Sequence, residues 1–169
     1  MKNTTESTEN TVQTNNVKNA ICSDLPIPNL FDVSVNHLDK MVSLQAKTQK
    51  YVYGYDYQNM SLREMMEFNH MNNHAIIDEL HELTDSLGGI KDGDGSAIWK
   101  RWKSAYKTFE NKKFIDLSES DQLEAKFEVV DIFHFVLAQC AMLNMDAKEL
   151  FNMYMSKNKE NIDRQNRGY

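Results

Sequence analysis

Glu79 and Glu82 stand three residues apart in DELHELTD, and Glu128 and Asp131 stand three apart in FEVVDIFHF. On an α-helix that spacing puts both carboxylates of a pair on one face, about 60° apart. Two such pairs on separate helices can converge four carboxylates on one point. Left alone they would repel one another, and Glu128 and Asp131 also interrupt a strongly apolar run, where burying a charge is costly. A divalent cation relieves both costs, and an all-oxygen donor set selects Mg²⁺, with Mn²⁺ as a substitute, over zinc. Taken alone, Glu79 and Glu82 read more readily as a solvated acidic face. Glu128 and Asp131, inside VVDIFHFVL, do not, and the two pairs together favour a metal site.

The C-terminal stretch supplies the opposite charge. Lys157, Asn161, Arg164 and Gly168 fall at i, i+4, i+7 and i+11, a single stripe of cation, amide, cation and bare backbone. Such a stripe suits a polyphosphate. By itself it is explained as well by late cations compensating the helix dipole. Beside four carboxylates it gains weight, because metal plus cations is the recurring equipment of phosphate chemistry. Trp99 and Trp102 read as core or dimer-interface anchors. Lys100 and Lys103 flank them as solvated lysines, Lys103 being a possible phosphate contact. Met65, Met66, Met142, Met145, Met153 and Met155 read as core filler.

A different chemistry competes for the same acids. Glu67 with His70, Asp78 with His81 and Asp131 with His134 have the acid-x-x-His spacing of di-iron carboxylate bundles, which would make the chain an oxidoreductase. That reading leaves Lys157, Asn161 and Arg164 without a role, whereas the two acid pairs fit Mg²⁺ with no residue to spare. His134 then becomes a core histidine or one that orients a ligand. A catalytically inactive helical interaction module is the third possibility. The intact acids and the C-terminal stripe count against it.

Helices must position these groups. Residues 1–28 are dominated by Thr and Asn and close on Pro26 and Pro28, so a disordered polar tail and extended lead-in are expected there, followed by one domain over 29–169. A first helix is predicted from Asp32 to Tyr53, with Val35, Leu38, Val42, Gln45 and Gln49 on its inner face and Gly54 as its stop. A second opens at Ser61, where Glu64 completes a capping-box spacing, and ends at Gly88-Gly89. A short third helix is predicted over Ala97–Asn111. A fourth, from Ser118 or Ser120 to Leu143, is apolar almost all round and should be the central core helix. A fifth runs from Asp146 to about Arg164. Five helices with short connectors make an all-α bundle.

Composition narrows the function. The 169 residues carry 19 Lys and Arg against 25 Asp and Glu, a net charge of -6, which argues against coating nucleic acid but not against a small phosphorylated ligand. Six Gly and two Pro are too few for a turn-rich sandwich or barrel. No apolar run approaches a membrane span, and the N-terminus lacks an apolar h-region. Cys22 and Cys140 form neither a framework nor a CxxC motif, so a reducing, cytoplasmic setting is expected.

At these residues the sequence resembles the all-α NTP pyrophosphatase superfamily, whose signature is ExxE followed downstream by ExxD, and within it the dimeric dUTPase branch. The resemblance runs from about Leu38 to Tyr169 through LQAKTQ, ELHE, WKRWK, FEVVDIFHF and KNKENIDRQNRGY, and is greatest to phage members. The spacer of about 45 residues between the acid pairs suits the dimeric branch better than the short MazG-type members. The resemblance implies a MazG/dimeric-dUTPase-like bundle, a homodimer, and hydrolysis of dUTP and/or dCTP to dUMP or dCMP and pyrophosphate. It implies that Glu79, Glu82, Glu128 and Asp131 bind Mg²⁺, that Glu79 or Glu82 activates water for attack on the α-phosphorus, and that Lys157, Asn161 and Arg164 contact the substrate. Gln45 matches the glutamine that lines the base pocket. Gln49 replaces the asparagine usual in dedicated dUTPases, and its amide can serve uracil or cytosine. Tyr169 matches the terminal tyrosine of the last block. In an infected host the enzyme would work in the cytoplasm.

Overall fold

The structure is a computed structural model that describes residues 25–89 and 100–168. The expected tail over 1–24, together with Cys22, Trp99 and Tyr169, lies outside the described residues. Four α-helices make the architecture: α1 (His37–Tyr53), α2 (Leu62–Leu87), α3 (Glu119–Met142) and α4 (Ala147–Asn166). Short 3-10 turns at Tyr57–Asn59, Ser104–Phe109 and Phe114–Asp116 connect them, and no strand occurs among the described residues. The chain is all-α.

Each helix begins on a side-chain cap. Asn36 accepts from the Asp39 amide, Ser118 from that of Asp121, and Asp146 from that of Glu149. Ser61 and Glu64 form the expected reciprocal box, with Ser61 N–H donating to Glu64 at 2.7 Å. Gly54 stops α1 at φ 80°, and Gly89 turns the chain after α2 at the same φ, a left-handed conformation that glycine adopts without strain. α1 starts five residues later than the periodicity predicts. Asp32 folds back to accept from the backbone and hydroxyl of Ser34, which diverts the chain before Asn36 can cap it and leaves Val35 outside the helix.

The predicted third helix is absent as such. Residues 97–99 lie outside the described residues, and from Lys100 onward the bonds run i to i+3, as from Lys103 N to Lys100 O and Tyr106 N to Lys103 O. Lys103 offers no side-chain cap to start an α-helix. Trp102, read as a core or interface anchor, is 74% exposed in this chain.

α3 is central, packed by α2 along its length and by α1. Phe68, Ala138 and Met142 form the buried cluster, with Tyr55, Tyr57, Met60 and Met65 against it. Polar groups tie α2 to α3: Asn72 donates to the Phe135 carbonyl at 3.0 Å, and the Gln139 amide donates to Asn69 and Asn73 at 2.9 Å each. α3 is the central helix, as its apolar sequence predicts, yet it is not covered on every side. Asp121, Glu124 and Glu128 turn inward, while Val129, Val130 and Phe133 face outward, because α1 and α2 cover only one side. Of the methionines read as core filler, Met142 is buried, and Met66, Met153 and Met155 are exposed.

After Asn144, at φ 55°, the chain turns and α4 leaves α3 at 107°. α4 meets the body through its first turn, where Ala147 is buried and its N–H donates to Asp39 at 2.8 Å. Beyond that turn Phe151, Tyr154, Met155 and Ile162 are exposed. No single helix among the described residues is long and apolar enough to cross a membrane.

Candidate metal centre and active site

Along α2 the side chains that face α3 recur as Phe68, Asn72, Glu79 and Leu83, so the same periodicity that builds the core carries Glu79 to the α2–α3 seam. On α3 Glu128 and Asp131 meet it from the other side. Carboxylate oxygens of Glu79, Glu82 and Glu128 all lie within 4.8 Å of one another, so three of the four expected acids come together. Glu128 is 5% exposed, Glu79 and Asp131 are half-buried, and Glu82 reaches solvent. Asp131 sits beside this trio and lines a common cavity with Glu79.

The electrostatics register the crowding. Burial, then Glu82, Glu124, Asp131 and Glu79, pushes the Glu128 carboxyl up to about 7. Burial, then Glu82, Asp131 and Asp78, raises that of Glu79. Burial raises that of Asp131 as well, Glu124 adds to the rise, and His134 opposes both. The donors are all oxygen. Two oxygens on one Mg²⁺, each at about 2.0–2.1 Å, lie roughly 3–4 Å apart, so small side-chain shifts close this trio around the ion. The residues present therefore fit a hard divalent cation.

Beside the carboxylates opens a cavity of about 410 Å³ lined by Gln45, Thr48, Gln49, Tyr53, Tyr55, Met71, Glu79, Asp131, His134 and Phe135. Gln45 and Gln49 thus share a wall with two of the acids. Gln49 is 8% exposed, and among the described residues its side-chain amide has no hydrogen-bond partner. Facing the cavity, that amide offers both a donor and an acceptor to whatever enters.

The sequence is similar to phage dCTP pyrophosphatases. It is 50% identical over 96 residues to the dCTP pyrophosphatase of Enterobacteria phage LZ5, a match covering 56% of each chain. To the dCTP pyrophosphatase of Enterobacteria phage T4 it is 48% identical over 97 residues, 56% of this chain and 57% of that one. An 87-residue stretch, 50% of this chain, is 48% identical to 22% of a DNA replication protein of Enterobacteria phage T4. The match thus spans little more than half the length of the two dCTP pyrophosphatases. No family model matches the chain, and no solved structure does.

Not every expected site residue reaches the carboxylates. Lys157 is exposed on α4, and Asn161 and Arg164 line a separate shallow cavity with Ile162 and Gln165. Arg164 and Arg167 both pair with Glu160, at 3.0 and 2.8 Å. Burial and neighbouring acids act on Glu79 and Glu128, and at Asp131 His134 opposes burial and Glu124. Asn161 and Arg164 open onto a different cavity from the one that Glu79 and Asp131 line, and α4 turns away from α3 at Asn144. Lys103 is exposed in its turn.

The residues of the iron alternative disperse. Glu67, His70, Asp78 and His81 are exposed on the side of α2 away from α3, and only Asp131 and His134 remain at the cavity. Sequence reasoning missed Glu124. It is 8% exposed, one turn before Glu128, and adds to the crowding there. Its i, i+4 spacing from Glu128 was the available signal.

Proposed function

We propose that this chain hydrolyses dCTP and dUTP to the monophosphate and pyrophosphate at the α2–α3 seam. The observation that carries the reading is the meeting of Glu79, Glu82 and Glu128 within 4.8 Å. The amide-lined cavity next to them, roomy enough for a pyrimidine nucleoside, supports it, as does the similarity to phage dCTP pyrophosphatases. Glu79, Glu82, Glu128 and Asp131 would hold Mg²⁺, or Mn²⁺ in its place, while Gln45 and Gln49 present donor and acceptor edges to a pyrimidine. Bound there, the ion supplies charge neutralisation on the phosphoryl oxygens and a lowered pKa for a coordinated water.

Glu79 or Glu82 would take the proton from the attacking water as its oxygen bonds to the α-phosphorus. The bond from the α-phosphorus to the bridging oxygen breaks, and pyrophosphate leaves with the electron pair. Lys157, Asn161 and Arg164 contact the triphosphate in this scheme, and Tyr169 closes the block that carries them. Since Asn161 and Arg164 open onto a different cavity from the acids of their own chain, a homodimer is part of the proposal. The outward apolar residues Phe151, Tyr154, Met155 and Ile162 on α4, and Val129, Val130 and Phe133 on α3, support it.

The test is pyrophosphate release from a panel of dCTP, dUTP, dTTP and UTP with and without Mg²⁺, on the wild type and on Glu82→Gln. Release from dCTP and dUTP that needs Mg²⁺ and falls at least a thousandfold in a folded Glu82→Gln protein is expected. Metal-independent release, or wild-type turnover by the variant, overturns the reading.

A further inference from the structure

The outer face of α2 carries metal-ligating side chains that the hydrolytic site does not use. Glu67, His70, His74, Asp78 and His81 follow one another at steps of three or four residues. At 100° per residue those steps confine them to a stripe about 80° wide, turned roughly 140° from the face that packs on α3. All five side chains are exposed. The imidazoles of His70 and His74 already stand together, edge to face, with ring centres 4.6 Å apart. Two imidazoles that share a metal at about 2.0–2.1 Å per nitrogen hold their ring centres about 4.5 Å apart at a right angle and about 5.2 Å apart at a tetrahedral one. The pair therefore has the separation that chelation needs, and rotation of two exposed rings brings both nitrogens onto one ion.

We propose that His70 and His74 form a two-histidine site for a borderline transition-metal ion, Zn²⁺, Ni²⁺ or Cu²⁺, separate from the carboxylate cluster. Donor chemistry keeps the two sites apart. The cluster offers only oxygen and suits a hard ion, whereas neutral imidazole nitrogens bind Mg²⁺ poorly and favour the later first-row metals. Glu67 and Asp78 stand one turn before His70 and one turn after His74 on the same stripe, the positions from which a carboxylate would support a ligating ring. Glu67 is held to Arg63 at 3.0 Å in an exposed ion pair, which leaves it free to exchange partners at little cost. The remaining coordination positions face solvent.

The full chain, with Mg²⁺ present in excess to occupy the carboxylates, would be titrated with Ni²⁺ by calorimetry. One equivalent binds to the wild type, and His70→Ala and His74→Ala each weaken it at least tenfold. His37→Ala, at the start of α1, leaves it unchanged. Substoichiometric Cu²⁺ broadens the imidazole proton signals of His70 and His74 before those of the other histidines. Both alanine variants keep the wild-type circular dichroism spectrum and the wild-type rate of Mg²⁺-dependent hydrolysis. The proposal fails if both bind Ni²⁺ as tightly as the wild type, if the wild type binds none, or if only Glu128→Gln removes the binding.

Discussion

Asn72 on α2 donates its side-chain N–H to the backbone carbonyl of Phe135 on α3, at 3.0 Å and across 63 residues of sequence. Asn72 lies two turns before Glu79 on the same face of α2, and Phe135 lies one turn after Asp131. The bond thus fixes the register in which the two acid-bearing helices meet. Asn72→Ala removes it from a site only 2% exposed. A stability loss of about 1–3 kcal/mol is expected, read as a lower urea midpoint at unchanged slope. Asn73→Ala, which touches the exposed part of the same seam, costs less. Equal losses for the two variants would remove the register role.

The crowded acids make the metal-free protein sensitive to pH. Glu128 ionises near its ordinary value of 4.5 when unfolded but near 7 in the folded chain. Between those values the folded state holds the extra proton, so stability is full below about 4.5 and is lost as pH rises through 7. Melting in chelator is expected to fall from pH 5 to pH 8. Glu128→Gln should give a shallower slope, because Glu79 and Asp131 are raised too. At pH 8, Mg²⁺ should restore the wild type more than the variant.

Gln49 reports on the cavity. Gln49→Leu removes an amide that has no partner among the described residues, so folding is unharmed or improved. If the amide serves a pyrimidine, KM for dCTP and dUTP rises about tenfold, the worth of one hydrogen bond, while kcat stays within about twofold. An unchanged KM would place the base elsewhere.

Tyr57 offers a contrasting case. Its hydroxyl is buried without a partner among the described residues, while its ring packs edge-on against Phe68 at 5.3 Å. Tyr57→Phe keeps the ring contact and removes the orphaned hydroxyl, so the melting temperature should stay level or rise. A fall would reveal a partner for the hydroxyl.

Much of this was legible before any coordinates. Ser61, Glu64 and Gly54 are local signals, and local signals set helix ends whatever the rest of the chain does. The inner face of α1 was readable through Gln45 and Gln49 because burial follows a 3.6-residue period even when the residues are amides. Periodicity alone could not tell that Lys100 to Phe109 would close i to i+3, since over so short a stretch periods of 3.0 and 3.6 residues leave nearly the same apolar pattern. Nor could it say which side of α3 lies uncovered. Val129 and Glu128 exchange the places their polarity suggests, because the direction in which α1 and α2 pack is a tertiary fact. The path of α4 was hidden for the same reason. It depends on one residue, Asn144, adopting a left-handed conformation.

That single turn sets a boundary in how the molecule holds together. Twenty residues of helix rise about 30 Å, and α4 is bonded to the body at its first turn, through Ala147. Such a length of helix is marginal in water by itself. The arm therefore borrows its persistence from whatever lies against its apolar side. Under the proposed function, the grip on the triphosphate and the state of assembly would become one equilibrium rather than two, so dilution alone would slacken the grip before the α2–α3 seam loosened at all.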